Sequence, residues 1–433
     1  MNDKASVRNV FSVRNFRLVF FGALVSEIGS VLYSFAVSFL ILDLTGNNAF
    51  LQGLYLALGS VVLLLVTPIG GILSDRYNKS RIMAVCDGLS GIVIILATLG
   101  MYLFTSPRVQ LIFLFAVGIL GNLLAGLFTP ASGSLLPLIV EEEQFQQANA
   151  YNSARSSLQS ILGVVLAGIL YAAIPVKPLF LIVGSCYLIS GISETFIHYD
   201  HRSSGGRLTL KLALSDMKDG FRYVTSQKSL LVLMAAIMFV NFFINPINGN
   251  FLPVFIRLDL AKAPAYLLES ILTPELWSSI ISMLMALSML LASLILSSKT
   301  PPEKCGRYVA RCLAVIAATM IIFTFSYWLF ASGNISINAI LIILCLFALI
   351  LGYAISNINI PLNTTLMKIV DRDMLGKVVS ITHVISMGLI PIASLMAGAI
   401  LQYFSPTALL IVCSLGFTAT ALFVLVNPET KNI

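Results

Sequence analysis

Gly71-Ile72-Leu73-Ser74-Asp75-Arg76-Tyr77-Asn78-Lys79-Ser80-Arg81 ends one long apolar run, at residues 50–74, and leads into another, at 82–104. Each run exceeds the roughly 20 residues a helix needs to cross a hydrocarbon core of about 30 Å. Between them three basic residues, Arg76, Lys79 and Arg81, crowd into a short turn. Two spans joined by a tight basic turn read as a membrane hairpin whose turn faces the cytoplasm, because basic connectors are retained on that side.

The pattern extends in both directions. Twelve spans are expected, at 16–42, 50–74, 82–104, 110–138, 150–173, 178–198, 230–255, 274–297, 308–331, 335–367, 377–403 and 406–426. Of the 433 residues, 58% are hydrophobic and 10% charged. Soluble domains carry about 25% charged residues, so this composition belongs in lipid, as does the mean hydropathy of +0.95. The first run is too long for the apolar core of a cleaved leader, roughly 7–15 residues, and reads as a retained span.

The longest connector, 199–229, separates six spans from six. The expected organisation is an N-terminal six-helix bundle (1–199), a cytoplasmic linker (200–229) and a C-terminal six-helix bundle (230–433). The linker opens with Ser203-Ser204-Gly205-Gly206 and takes on helical apolar spacing from Leu214, the pattern of an amphipathic helix on the membrane surface. With the N-terminus in the cytoplasm, all of the 26 Lys and Arg except Arg108, Lys177, Arg257 and Lys262 fall on the cytoplasmic side. Both termini are therefore expected there. The net charge of +7 is an orientation signal and not a nucleic-acid surface. The expected fold class is all-α integral membrane, twelve transmembrane helices in two bundles, multi-pass in the inner cell membrane.

No connector could hold a nucleotide-binding cassette, and no GxxxxGK[ST] phosphate loop occurs. ATP-driven pumping and enzymatic chemistry are disfavoured, and gradient-driven transport of a small molecule leads. Cys86, Cys186, Cys305, Cys312, Cys345 and Cys413 form no CxxC pair and read as small apolar residues. With three scattered histidines they suggest neither a metal site nor a cofactor.

The loop from Gly71 to Arg81 resembles the signature between helices 2 and 3 of the major facilitator superfamily. Gly71, Asp75, Arg76 and Lys79 match it; Asn78 stands in place of a glycine, and asparagine tolerates a left-handed turn; Arg81 lies one place beyond the last basic position. Other stretches resemble the bacterial macrolide and multidrug efflux branch: Asn15-Phe16-Arg17-Leu18, Ser26-Glu27-Ile28-Gly29, Leu44-Thr45-Gly46, Pro137-Leu138-Ile139-Val140, Gln147-Ala148-Asn149, Pro361-Leu362-Asn363 and Gly376-Lys377-Val378. The resemblance implies the major facilitator fold, a monomer, and a cytoplasmic gate in which Asp75 and Arg76 bridge the two halves near Gly376. Gly163 to Gly168 occupies the place of the antiporter helix-5 motif but lacks its proline.

Three acids fall within expected spans: Glu27, Asp87 and Glu194. An ionised group at the bilayer centre costs roughly 2.5–3.5 kcal/mol on insertion scales, so each needs a partner, a wet cavity or a proton. Glu27 lies about 15 Å into the first span, beside Ser26, Gly29, Ser30 and Ser34. It is expected to carry the coupling proton or to contact a cationic substrate; the alternative is a structural glutamate hydrogen-bonded between helices. Asp87 is expected in an ion pair with Arg81 or Arg76 within the gate. Glu194, beside His198, is expected to snorkel to the interface. Arg155 can reach the headgroups or pair with an acid such as Glu27, with snorkelling the expectation. His383 is either a hydrogen-bonded packing residue or a coupling group.

Asn241, Asn245, Asn248 and Asn250 accompany Pro246 and Gly249 in the seventh span, and Asn357, Asn359 and Asn363 surround Pro361 in the tenth. These read as paired helix breaks bordering a substrate site, or as amides bonded between helices. A cavity of one acid, several amides and many Phe and Met suits a bulky amphipathic molecule. The leading expectation is a proton-coupled exporter of drug-like compounds. The alternatives are a siderophore exporter or lipid flippase of the same fold and, in a different class, a non-transporting receptor or scaffold.

Overall fold

The protein is described here from a computed structural model, in which residues 9–199, 218, 221–297, 304–370 and 375–427 are described. Among them, twelve helices are long and apolar enough to cross a membrane: α1 (Arg14–Leu44), α2 (Ala49–Arg76), α3 (Lys79–Leu103), α4 (Pro107–Ile139), α5 (Gln147–Ala173), α6 (Val176–Thr195), α7 (Leu230–Leu260), α8 (Pro274–Leu296), α9 (Cys305–Ala331), α10 (Ile337–Leu362), α11 (Val384–Tyr403) and α12 (Pro406–Val426). The all-helical, twelve-span reading stands. The expected surface helix in the linker lies mostly outside the described residues, which are helical at 221–226.

The helices divide into two compact units, Met1–Leu40 with Gly59–Leu210, and Ile41–Leu58 with Lys211–Ile433. The chain passes from one unit to the other within α1 and returns within α2. In the first unit α3 packs along α6 and α4; in the second α9 packs along α12 and α10. The same pairings recur six helices apart, as expected of a fold built from two parallel repeats.

Local sequence sets the connections. Between α1 and α2, Gly46 and Asn47 both take positive φ, 64° and 67°, a conformation open to glycine and asparagine. Between α2 and α3, Asn78 is extended (φ −60°, ψ 117°) and its side chain accepts the Arg81 amide. It serves as a helix N-cap and not in the left-handed turn that the family glycine suggested.

The expected break at Pro246 ends the regular α-helix at Asn245, although the chain stays helical, and the one expected at Pro361 does not interrupt its helix. The α7 backbone widens into π turns at Pro246–Phe251 and Ile256–Leu260. The α10 helix continues through Pro361 to Ile369. A proline forfeits one helical hydrogen bond, but a chain in lipid must satisfy its remaining backbone groups internally, so the helices persist around the lost bond.

Candidate functional site

The site in the first unit is assembled by glycines. A Cβ placed on Gly191 of α6 would stand 2.8 Å from the Gly88 nitrogen of α3, and one on Gly91 would stand 2.7 Å from the Gly184 carbonyl oxygen. Only glycine permits that backbone approach. On the other side of α6, a Cβ on Gly22 of α1 would meet Ser193 Oγ at 2.6 Å, and one on Gly29 would meet Cys186 Cβ at 3.3 Å. Helices α1 and α3 are thereby both drawn against α6.

Those crossings bring the three membrane acids together. Asp87 sits beside Gly88, and Glu194 lies three residues, about one turn, beyond Gly191. Asp87 is 4% exposed and Glu194 0%. Each lies close enough to act electrostatically on the other, and Asp87 also faces Glu27 and the Ser26 and Ser190 hydroxyls. Both Glu194 oxygens and Asp87 Oδ2 are buried without a hydrogen-bond partner among the described residues.

Two expectations are corrected here. Asp87 makes no ion pair with Arg81 or Arg76, because it points into the helix packing while Arg76 and Arg81 are exposed. Glu194 does not snorkel, because the chain after α6 folds across the end of the helix. Asn15 Nδ2 donates to the His198 carbonyl at 2.5 Å, Ser80 Oγ donates to the Ile197 carbonyl at 3.3 Å, and the Lys79 amide donates to Tyr199 Oη at 2.7 Å. Beneath them Glu194 is 0% exposed. Burial raises the affinity of the Tyr199 phenol for its proton, and the Lys79 amide bond opposes this.

Arg155 is the third correction. Its Nη2 lies 3.2 Å from Glu27 Oε1, with the side chains 12% and 28% exposed. The helix carrying it begins at Phe145 and not at 150, so Arg155 stands over a turn further along its helix than the sequence suggested, and its side chain turns to Glu27. The pair is only partly satisfied. Glu27 Oε2 and Arg155 Nε and Nη1 are buried without a partner among the described residues.

The candidate amides of the second unit bond mainly within their own helices. Asn245 Nδ2 donates to the Asn241 carbonyl at 2.9 Å and Asn357 Nδ2 to the Tyr353 carbonyl at 2.8 Å. Asn357 Oδ1 also accepts from Tyr308 of α9. The side chains of Asn363 and His383 lie outside the described residues. The fully buried Asn250 has neither amide atom bonded among them.

The second unit holds one charged network that the sequence did not single out. Arg257, near the end of α7, reaches Asp43 of α1 at 2.8 Å and Glu275 of α8 at 2.5 Å. Nearby, Tyr327 donates to Asp259 Oδ2 at 2.6 Å. Gln52 Nε2 donates to the Gly249 carbonyl at 3.3 Å, and Gln402 Oε1 accepts the Ala49 amide at 2.9 Å. These bonds hold the α1–α2 turn to α7 and α11. No group of three His, Cys, Asp or Glu among the described residues is placed to hold a metal ion.

The sequence profile of the Major Facilitator Superfamily matches residues 19–392. The chain belongs to the major facilitator superfamily. It is therefore a multi-pass membrane transporter, and its relatives are transporters too. An uncharacterized MFS-type transporter of Bacillus subtilis, YkuC, is 23% identical over 388 residues, covering 86% of this chain and 81% of its own. Macrolide efflux protein A of Streptococcus pyogenes is 23% identical over 244 residues, 55% of this chain and 58% of its own. Enterobactin exporter EntS of Shigella boydii is 27% identical over 175 residues, 40% and 41% of the two chains. Among solved structures, a point mutant of the nucleoside transporter NupG superposes with a TM-score of 0.75 at 13% identity, covering 95% of this chain and 99% of that one. That likeness speaks to the fold of this major facilitator alone.

Proposed function

We propose that this major facilitator is a proton-coupled exporter of hydrophobic or amphipathic compounds, macrolide-like drugs among them. It works as a monomer in the inner cell membrane, with both termini in the cytoplasm and the bundles 1–199 and 230–433 alternating access. The observation that carries the reading is the half-satisfied Glu27–Arg155 pair. An ion pair stripped of water is held only while both charges remain, because a lone buried charge is costly. A proton arriving on Glu27 removes one charge and frees the Arg155 guanidinium. Its planar fork of donors then has Nε, Nη1 and Nη2 available for oxygens of a substrate, and macrolides are rich in such acceptors. Asp75 and Arg76, where α2 ends, act in this scheme as the cytoplasmic gate, with Gly71, Lys79, Arg81 and Gly376.

A second substrate reading has support of its own. The enterobactin exporter among the relatives and the free guanidinium donors both suit an oxygen-rich, anionic siderophore. One experiment separates the two. Cells lacking their own exporters are loaded with a panel of macrolides and catecholate or carboxylate siderophores, with and without an uncoupler. Uncoupler-sensitive export of one class that fails in Glu27→Gln supports the reading and selects the substrate. Export by Glu27→Gln at the wild-type rate and against a gradient refutes the role of Glu27.

A further inference from the structure

We propose that Asp87 and Glu194 form a second proton-binding site, separate from the Glu27–Arg155 pair, and hold one proton between them in the conformation described here. The proposal concerns the protein at equilibrium and does not depend on any substrate or on the export reading.

The first support is burial without compensation. Glu194 is 0% exposed, and neither of its oxygens has a hydrogen-bond partner among the described residues. An ionised carboxylate taken out of water loses several kcal/mol even after the protein relaxes. Asp87, at 4% exposure, adds a second carboxylate beside the first. Two like charges at close range in a medium of low dielectric cannot both persist. A shared proton removes the repulsion and supplies a donor for one of the bare oxygens.

The second support is the absence, among the described residues, of a cation that could do the same work. The groups facing the pair are Glu27 and Ser26 from α1, Ser190 from α6 and Cys86 from α3. Glu27 is already engaged by Arg155. The Lys79 ammonium donates to the Ser74 carbonyl at 2.5 Å, and the His198 ring faces the Phe196 carbonyl at 2.8 Å. Ser190 Oγ, also 0% exposed, is aimed at Asp87. It is placed to donate to whichever carboxylate oxygen keeps the negative charge.

The third support comes from the other half of the chain. The corresponding helices α9 and α12 contain no Asp or Glu. They are joined instead by neutral hydroxyls, Thr324 Oγ1 to Ser414 Oγ at 2.6 Å. A helix pair of this kind therefore packs without acids, and the carboxylates of α3 and α6 are not needed to hold the crossing together.

Infrared spectroscopy of the purified full-length protein in lipid nanodiscs tests the site, with pH as the only variable. The expected result is a carbonyl stretch from about one protonated carboxylic acid per chain at neutral pH, lost as the pH is raised. Glu194→Gln is expected to abolish the carboxylic-acid stretch, Asp87→Asn to keep it but let it go at a lower pH because the repulsion is gone, and Glu27→Gln to leave it in place. Should one of the two variants fail to fold, the other still assigns the signal, by its loss in Glu194→Gln or its shift in Asp87→Asn. A wild-type protein with no such stretch at neutral pH, or a stretch lost in Glu27→Gln but kept in Glu194→Gln, would overturn the proposal.

Discussion

Replacing Gly191 by alanine perturbs the crossing that assembles the acid cluster. A Cβ there would stand 2.8 Å from the Gly88 nitrogen and 3.0 Å from the Ala84 carbonyl oxygen, whereas ordinary contact begins at 3.4 Å. Both obstacles are backbone atoms of α3, so no side-chain rotation relieves them and the helices must part by roughly half an ångström. Overpacking of this kind costs typically 1–3 kcal/mol. Against it, alanine gains about 0.8–1.0 kcal/mol over glycine in a helix. The clash should win, leaving a net loss of about 1 kcal/mol. Gly88, on the facing helix, provides the control, because a Cβ there meets nothing within 4 Å and Gly88→Ala keeps the propensity gain alone. The two alanines should move stability in opposite directions, about 2 kcal/mol apart. Thermal unfolding in detergent can be followed by the reactivity of Cys86, which is 2% exposed in the folded protein. A Gly191→Ala protein as stable as Gly88→Ala would refute the reasoning that this contact holds α3 against α6.

Three further perturbations address the charged groups. Glu27→Gln and Arg155→Met should each lower stability, and the double variant should recover part of the loss. A coupling of about 0.5–3 kcal/mol is expected for groups in contact, and a coupling near zero would mean the 3.2 Å pair contributes nothing. Arg257→Ala should destabilise more than Asp43→Asn or Glu275→Gln, because it strips both carboxylates of their shared partner and leaves them facing each other; equal melting temperatures for the three variants would count against that network. Asp75→Asn should slow turnover while leaving substrate affinity near the wild-type value, and an unchanged transport rate would remove Asp75 from the gate.

Hydropathy made the twelve spans readable because crossing lipid needs about 20 apolar residues regardless of what packs against them. Side-chain partners were harder to read. Arg155 looked like a snorkelling residue because the start of its helix was placed at 150, and five residues of error is more than a turn. Glu194 looked exposed because it stands near the end of a span, and the sequence does not reveal that Asn15, Lys79 and Ser80 fold over that end. The convergence of Asp87 with Glu194 did leave a trace. Gly88 and Gly91 on one helix and Gly184 and Gly191 on another are the small residues that close packing requires, and each acid lies within a turn of such a glycine. The proline and asparagine pattern marked the end of the regular α-helix at Pro246 but misled at Pro361, for a physical reason. It reports lost backbone bonds, and in lipid a helix can absorb that loss through π turns or unbroken continuation, without a break.

Proton-coupled transport through the α1 acid is the central claim. It is tested most directly by reconstituting the protein into proteoliposomes with a trapped pH-sensitive dye and adding the macrolide erythromycin or a catecholate siderophore. The account predicts proton movement opposite to substrate that collapses with an uncoupler and is absent in Glu27→Gln. Substrate movement with no accompanying proton flux, or flux undiminished in Glu27→Gln, would contradict it.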